Sequence, residues 1–350
     1  MAETDTGAAP AVTGLDVTAV SAWIDRLGIG AEPPLHFTRI GRGKSNLTFA
    51  VRDGAGRTWV LRRPPLGQLL ASAHDVAREH RVLSALAGTA VPAPGVVGFC
   101  DDGATCDVPL LLMEYVDGVV IDSEEAAVAV PEERRHAIGL SLAATLGSIH
   151  GVDLEATGLR DLASHKPYAA RQLKRWARQW EQSKTRELPA VEELAGRLER
   201  AAPEQTELTL VHGDYHILNV ISDPEDGHIR AVLDWELCTL GEPLADLGGL
   251  LAYWPEATDS VVGSNRIPTL PGFPKRRELA AAYAEATGRD LSALPFWQTL
   301  AYWKIAIIIE GVRRRVLDEP QNAGPGELVP AHVVDNMITR ALETAEAAGI

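Results

Sequence analysis

The segment Val211 to Glu236, VHGDYHILNVISDPEDGHIRAVLDWE, contains residue types suited to phosphoryl transfer. Asp214 lies five residues before Asn219, and Asp234 follows a predicted hairpin. A carboxylate at Asp214 can orient an acceptor hydroxyl and take its proton, while the amide oxygen of Asn219 and the carboxylate of Asp234 are hard ligands that suit Mg²⁺. Magnesium neutralises phosphate oxygens during transfer. The spacing therefore predicts a phosphoryl-transfer site.

A dense turn signal separates the two predicted metal ligands. Residues 223–227, with the sequence DPEDG, lie between NVIS and HIRAVLDW. They predict a hairpin that brings Asn219 and Asp234 to adjacent ends of two paired strands. Glu236 is a further candidate for the metal, because alternate residues share a face if the strand continues past Asp234.

Two other interpretations of this segment stay open at the level of sequence. His, Asp and Asn are common in loops that only cap and turn the chain. A strand would also place His212, Asp214 and His216 on one face, where all three are possible zinc ligands of a metal-dependent hydrolase.

A second glycine-containing loop is a candidate phosphate site. The sequence GRGKSN at 41–46 lies between two predicted strands. Glycines permit a tight turn whose N–H groups can approach phosphates, although the spacing is not that of a Walker loop. The candidate phosphate-binding residues here are Gly41, Gly43, Lys44 and Ser45.

An ion pair is expected close to the same loop in sequence. Arg62 lies on the third predicted strand, and Glu79 lies on the helix that follows. Paired with Glu79, the Arg62 guanidinium would be directed toward nucleotide phosphates. Arg63 should point to the opposite face of the sheet.

Composition restricts the class of partner. The 350-residue chain is long enough for one large domain or two lobes, and 46% of its residues are hydrophobic. It has 33 Lys and Arg against 48 Asp and Glu, a formal net charge of -15. This charge opposes nonspecific binding to nucleic acid or anionic lipid, so we expect no nucleic acid and no membrane as a partner. Acidity also simply promotes solubility.

Cysteine usage and the apolar runs favour a cytoplasmic protein. Cys100, Cys106 and Cys238 form no CxxC pair and indicate neither a disulfide framework nor a cysteine zinc site. The first residues lack an export signal, and the apolar stretch Ile305–Ile309 stops at a glutamate. Residues 1–14 are expected to form a mobile tail.

The order of predicted elements indicates an α+β protein with two lobes. Five strands and one helix on the sheet precede residue 118, after a short helix around 17–27, and helices dominate beyond it. Strands interrupt the helices only in the Val211 to Glu236 segment. The stretch 255–274 is long enough for a lid or a substrate-binding loop. Tryptophans of the helical lobe either line an acceptor pocket or fill the core: Trp176, Trp180, Trp254, Trp297 and Trp303.

With these motifs in place, the chain resembles the aminoglycoside phosphotransferase and choline kinase-like family of small-molecule kinases. HGDYHILN and VLDWE carry the resemblance most strongly, and it covers roughly residues 30–320. VLRRPP, AREHRVLSAL, MEYVDG and LDWELCTLGEPLADLGGLLAYW look most like the kinase-like domain attached to some acyl-CoA dehydrogenases. The resemblance implies a protein kinase-like two-lobed fold, with a nucleotide-binding lobe at 15–116 and a catalytic and substrate-binding lobe at 117–350.

The resemblance also implies roles for single residues. Asp214 would be the catalytic base, Asn219 and Asp234 would bind magnesium, and His212 would brace the catalytic loop. Backbone atoms of Glu114 and Val116 would hydrogen-bond a purine. Arg62 stands where the family usually has lysine, which keeps the charge but changes the donor geometry.

The expected reaction is phosphate transfer from ATP or GTP to a hydroxyl of a small molecule, with Mg²⁺ as cofactor. Aminoglycosides, amino alcohols and hydroxyacyl compounds are the candidate acceptors. A pseudokinase that binds nucleotide without turnover is an alternative of another class.

Overall fold

An antiparallel sheet and a bundle of helices form two separate units of this chain. We describe them from a computed structural model over residues 12–41, 46–66, 76–103, 105–261, 265–319 and 328–350. One unit runs up to Ala87 and continues over Ala93–Asp117, and the other consists of Gly88–Pro92 and Gly118–Ile350.

The first unit contains a sheet of five strands in the order β1-β2-β3-β5-β4, with every neighbouring pair antiparallel. Alternation of apolar residues positions the strands, as β2 shows by burying every second side chain. The strands are β1 His36–Ile40, β2 Leu47–Arg52, β3 Thr58–Arg63, β4 Val96–Cys100 and β5 Leu110–Glu114. Two helices accompany them among the residues described for this unit, α1 Val17–Arg26 and α2 Val76–Leu86.

Helix α1 packs its apolar face on this sheet. Asp16 caps the helix by accepting a hydrogen bond from Ala19 N at 3.0 Å, and Trp23 and Ile24 are buried against Phe49 and its neighbours.

The predicted mobile tail is wrong for its last residues. Val12 packs on the core of the sheet unit, and the Gly14 carbonyl accepts a hydrogen bond from Arg63. An apolar side chain and a buried donor therefore fix residues 12–14, while 1–11 lie outside the described residues.

The second unit is mainly helical, as the periodicity predicts. Proline begins several of its helices, because the missing N–H costs nothing in a first turn. The helices are α3 Glu124–Ala129, α4 Glu132–His150, α5 Tyr168–Ser183, α6 Pro189–Ala201, α7 Pro243–Ala252, α8 Arg276–Thr287, α9 Leu294–Asp318 and α10 Ala331–Ala348. The sequence analysis did not predict α3, a short helix of six residues that Ser123 caps.

Four short strands interrupt these helices within residues 209–241. They form two separate antiparallel pairs, β6 with β9 and β7 with β8. Their bounds are β6 Thr209–Val211, β7 Val220–Ser222, β8 Ile229–Val232 and β9 Thr239–Gly241. The β7–β8 hairpin is the predicted one, whereas the β6–β9 pair joins residues distant in sequence and was not predicted.

The stretch 255–274, predicted as a lid or a substrate-binding loop, contains one short helical turn. This is the 3₁₀ helix Ile267–Thr269, and residues 262–264 of the stretch lie outside the described residues.

Candidate active site

The catalytic loop, defined here as residues 212–219, leaves β6 and ends in a single 3₁₀ turn, Ile217–Asn219. The Asn219 side chain folds back, so that its Nδ2 donates to the Asp214 carbonyl at 2.9 Å and to Asp214 Oδ2 at 3.3 Å. His216 approaches the same carboxylate oxygen, with Nε2 at 3.4 Å. The spacing of five residues thus produces direct contact between Asp214 and Asn219.

The Asp214 carboxylate is held in its ionised form. Burial alone would raise its pKa, but the His216 hydrogen bond and the charges of His216 and Lys304 lower the pKa to about 2. About 31% of the side chain remains exposed, so the carboxylate can still contact a hydroxyl. Asp214 is therefore a charged acceptor at any physiological pH.

His212 makes the contacts that a brace of this loop requires. The imidazole is fully buried, its Nδ1 accepts from Asp214 N at 3.3 Å, and its Nε2 donates to Leu233 O at 2.9 Å. Burial lowers the pKa of His212, which favours this neutral form. One ring therefore links the catalytic loop to the residue before Asp234.

Asp246, on α7, holds the loop through two of its backbone amides, and the sequence analysis did not predict this residue. Its carboxylate accepts from His212 N at 2.6 Å and from Gly213 N at 2.9 Å. His150 Nε2 lies 3.4 Å away, while His150 Nδ1 lies 2.8 Å from Tyr283 Oη. The available signal was the lone acidic residue in the apolar run PLADLGGLLA, since a buried charge in a helix needs partners.

The hairpin places the two predicted metal ligands at its open end. Val220 pairs with Val232, and the next residues are joined by a hydrogen bond from Leu233 N to Asn219 O at 2.8 Å. Asp234 follows with φ 64° and ψ 60°, the left-handed region. Among the described residues it is the only one other than glycine with positive φ. Such backbone strain is characteristic of functional positions.

The residues at this end fit a magnesium ion. Asn219 commits its Nδ2 to Asp214, which leaves the amide oxygen on the opposite side as an acceptor. With the Asp234 carboxylate, this gives one neutral and one anionic oxygen donor, the ligand types that Mg²⁺ prefers.

The zinc interpretation is wrong for the described residues. They contain no group of three His, Cys, Asp or Glu side chains placed to share a metal ion. The physical reason lies in the backbone: the loop replaces the strand that would align His212 with His216, and both His212 nitrogens are already bonded.

The premise for Glu236 as a metal ligand is also wrong. Strand β8 ends at Val232, and residues Trp235–Leu237 form a 3₁₀ turn after the left-handed Asp234. Asp234 and Glu236 consequently do not alternate along one strand.

In the sheet unit, the predicted ion pair is present. Arg62 Nη1 lies 2.9 Å from Glu79 Oε1, and both residues are buried. Arg63 points to the other face of β3, where it contacts the carbonyls of Pro64 and Gly14. The role of the Arg62–Glu79 pair in binding nucleotide stays a prediction.

The remaining predicted nucleotide residues are only partly visible. Gly41 is exposed with φ 76°, whereas Gly43, Lys44 and Ser45 lie outside the described residues. Glu114 N already donates to Gly95 O at 2.8 Å, so the Glu114 amide is not free for a purine. Glu114 can offer its carbonyl, and Val116 follows the end of β5.

A small cavity of about 40 Å³ lies beside Asp214 in the helical unit. Trp176 and Trp297 line it, while Trp180, Trp254 and Trp303 are core residues. A second cavity, of about 190 Å³, shares Tyr253 and Ile305 with the first. Trp176 and Trp297 thus lie at a cavity, although Trp297 is also buried, and an acceptor-binding role for that cavity stays a prediction.

Lys304, on α9, also lines the cavity beside Asp214 and was missed by the sequence reading. Its Nζ donates to Gly213 O at 2.9 Å. The signal was again a lone charge in an apolar run, LAYWKIAIII.

A family model and a curated relative each match most of this chain. Residues 36–297 match the family model described as "Phosphotransferase enzyme family". Acyl-CoA dehydrogenase family member 10 of Mus musculus is 35% identical over 83% of this chain, and the match spans 27% of that relative's length. The aligned region is thus about a quarter of that relative.

Solved structures show the same fold. A protein of Ralstonia eutropha, provisionally assigned as an aminoglycoside phosphotransferase, superposes with a TM-score of 0.79 at 29% identity, covering 95% of this chain and 99% of the other. The GDP complex of aminoglycoside 2'-phosphotransferase-IIIa gives 0.60 at 13% identity, covering 95% and 97%, and shows the fold alone. The predicted α+β, two-lobed kinase-like fold is confirmed.

Proposed function

Because the chain belongs to the phosphotransferase enzyme family, we propose that it transfers the γ-phosphoryl group of ATP or GTP to a hydroxyl of a small molecule, with Asp214 as catalytic base. The observation that carries the proposal is a set of contacts that connects Asp214, Asn219 and the residue before Asp234. Asn219 contacts Asp214 through its side chain and is linked through its backbone to Leu233, the residue before Asp234.

The reaction exchanges one phosphorus–oxygen bond for another. The bond from the γ-phosphorus to its bridging oxygen breaks and releases the nucleoside diphosphate, while the acceptor oxygen bonds to phosphorus and its proton passes to Asp214. With a pKa of about 2, Asp214 is a weak base. It therefore acts mainly by orienting the hydroxyl and takes the proton late.

Asn219 and Asp234 would hold Mg²⁺, whose charge neutralises the phosphate oxygens. His212, bonded to Asp214 N and Leu233 O, keeps the base and this hairpin in a fixed relation. Asp246 does the same from α7 by accepting the amides of His212 and Gly213.

The sheet unit supplies the proposed nucleotide-binding residues. The buried Arg62–Glu79 pair supports this role, because a carboxylate that fixes a guanidinium pre-organises it for phosphate. We assign the remaining contacts to the glycine loop at 41–46 and to the segment at the end of β5: Gly41, Gly43, Lys44, Ser45, Glu114 and Val116. A structural neighbour that binds GDP supports a purine nucleotide as the donor.

Nucleotide consumption by the purified chain tests the proposal. We expect magnesium-dependent turnover of ATP or GTP to rise with one class of hydroxyl acceptor among aminoglycosides, amino alcohols and hydroxyacyl compounds. Asp214→Asn should lower transfer by about 100- to 10,000-fold while leaving nucleotide affinity nearly unchanged, because Asp214 contacts the acceptor and not the nucleotide.

Asp226→Asn is the matched control, since Asp226 lies on the exposed hairpin turn and should leave transfer unchanged. Transfer that survives Asp214→Asn would contradict the role of Asp214. Nucleotide binding without turnover, with every acceptor class, would instead identify a pseudokinase.

A further inference from the structure

The cavity beside Asp214 has mainly apolar walls and few charged groups. Its charged lining residues, within the part of the chain that the structure describes, are Asp214, Asp246 and Lys304. Aromatic and aliphatic side chains form most of the remainder, among them Trp176, Tyr253, Trp297, Leu300, Ala301 and Ile305. An acceptor that enters this cavity loses water, so each charge in the wall acts on it strongly.

Both carboxylates of the cavity are already committed. Asp246 is buried and accepts the amides of His212 and Gly213, with His150 at 3.4 Å. Asp214 is held by Asn219 and is required for the acceptor hydroxyl. A cationic amine would therefore find no open carboxylate among the described lining residues.

The Lys304 ammonium has more N–H donors than its contacts with the described residues use. Its ammonium carries three N–H groups, and the Gly213 carbonyl is its only hydrogen-bond acceptor among the described residues, at 2.9 Å. The same nitrogen lies 5.5 Å from the centroid of the Trp176 ring, which stabilises the cation without using a donor. Two N–H groups thus remain for an oxygen in the cavity.

We propose that Lys304 determines the charge specificity of the acceptor site: it donates to an oxygen of the acceptor next to the hydroxyl that Asp214 orients, and it repels cationic amines. The inference rests on the proposed function and concerns which acceptors that function accepts. It favours neutral or anionic hydroxy compounds with an apolar body over polycations. Repulsion between like charges at close range in a dry site is an effective means of discrimination.

Three acceptors of equal length, each with its second polar group on the carbon beside the hydroxyl carbon, test this role: 2-hydroxypentanoate, 1,2-pentanediol and 1-amino-2-pentanol, called hydroxypentanoate, pentanediol and aminopentanol below. Binding is measured by calorimetry with the magnesium nucleotide present, and kcat and KM are measured wherever turnover occurs. We expect the wild-type chain to prefer hydroxypentanoate over pentanediol and to bind aminopentanol most weakly. Lys304→Met should weaken hydroxypentanoate binding about 10- to 100-fold, because a hydrogen bond from a charged donor is lost.

Two further variants of Lys304, one that reverses its charge and one that keeps it, distinguish a role in specificity from a role in folding. Lys304→Glu should invert the preference toward aminopentanol, while Lys304→Arg should keep the wild-type order. Lys174→Met, which removes an exposed lysine on α5, is the matched control and should change nothing. Circular dichroism and nucleotide affinity verify that each variant is folded.

Two results would overturn the inference. One is wild-type binding of aminopentanol as tight as that of hydroxypentanoate. The other is a loss in Lys304→Met that is equal for all three acceptors, which would assign Lys304 a purely structural role. Either result leaves the phosphotransferase proposal intact, because that proposal fails only if nucleotide turnover is absent or independent of Asp214.

Discussion

Asp234 combines two requirements that most residues cannot meet together. Its carboxylate is a proposed magnesium ligand, and its backbone adopts φ 64°, where a side chain with a Cβ is strained. Asp and Asn tolerate this region better than other residues because their short side chains hydrogen-bond locally. The position therefore selects aspartate for backbone conformation as well as for charge.

Substitutions at Asp234 should separate these two requirements. Asp234→Gly should be more stable than Asp234→Ala by about 1 kcal/mol, the reverse of the usual order, because glycine accepts positive φ without strain. Asp234→Asn should keep the stability of the wild type. All three should lose magnesium-dependent transfer. Urea unfolding and nucleotide turnover measure the two effects, and equal stabilities of the Gly and Ala variants would argue against strain.

Helix α7 contributes one buried carboxylate to the site, that of Asp246, which accepts the amides of His212 and Gly213. Burial would raise the pKa of Asp246, but hydrogen bonds and the charges of His150 and His212 lower it below the ordinary value of 3.8. The helix thus holds the catalytic loop only while Asp246 is ionised.

Asp246→Asn should destabilise the protein by about 3 kcal/mol, because an amide N–H would then face the N–H of His212 or Gly213. The pH dependence has a defined sign. A carboxyl with a lowered folded pKa contributes stability above its ordinary value of 3.8 and loses it as pH falls through the folded pKa. The wild type should therefore lose stability below about pH 4 more steeply than Asp246→Asn.

His150 adds a second decline at higher pH, which is shallower in the wild type because the Asp246 carboxylate raises the pKa of His150. Burial lowers its pKa, so the folded state loses stability as pH falls below about 6.5 in both proteins. Urea unfolding at several pH values measures these slopes, with Asp25→Asn on the exposed side of α1 as the control. Parallel slopes for the wild type and Asp246→Asn would contradict a lowered pKa at Asp246.

The molecule as a whole should be stabilised by the ligands that the proposed function requires. A magnesium nucleotide at about 100 times its Kd adds about 2.7 kcal/mol to the free energy of unfolding, provided that it binds only the folded state. We expect a higher Tm with magnesium nucleotide than with nucleotide and a chelator. Asp234→Asn should remove that difference, and a Tm unaffected by chelation would contradict the magnesium site. In the part of the chain that the structure describes, no helix is long and apolar enough to cross a membrane.

Local patterns predicted most of the elements and the contacts close in sequence. The spacing of five residues indicated that Asp214 and Asn219 belong to one site, where the structure shows them in contact, and a turn signal indicated the β7–β8 hairpin. What local patterns did not predict are contacts over long separations. Asp246 and Lys304 reach the catalytic loop from helices whose periodicity reveals a buried face but not what that face meets. The 3₁₀ turn after Asp234 was likewise not predicted, because it follows a left-handed residue and glycine is the usual sequence signal for that conformation.

The hydrogen bond from Lys304 to Gly213 joins two residues that the ribosome adds at different times. The two residues are 91 positions apart in the chain. A ribosome adding about 5–20 residues per second needs roughly 5–18 s to cover that distance. Once Asp234 has been added, and for the rest of that interval, the growing chain contains Asp214, Asn219 and Asp234 but lacks the lysine proposed to choose their substrate. Synthesis therefore adds the proposed catalytic and magnesium-binding residues before the lysine proposed to set the selectivity.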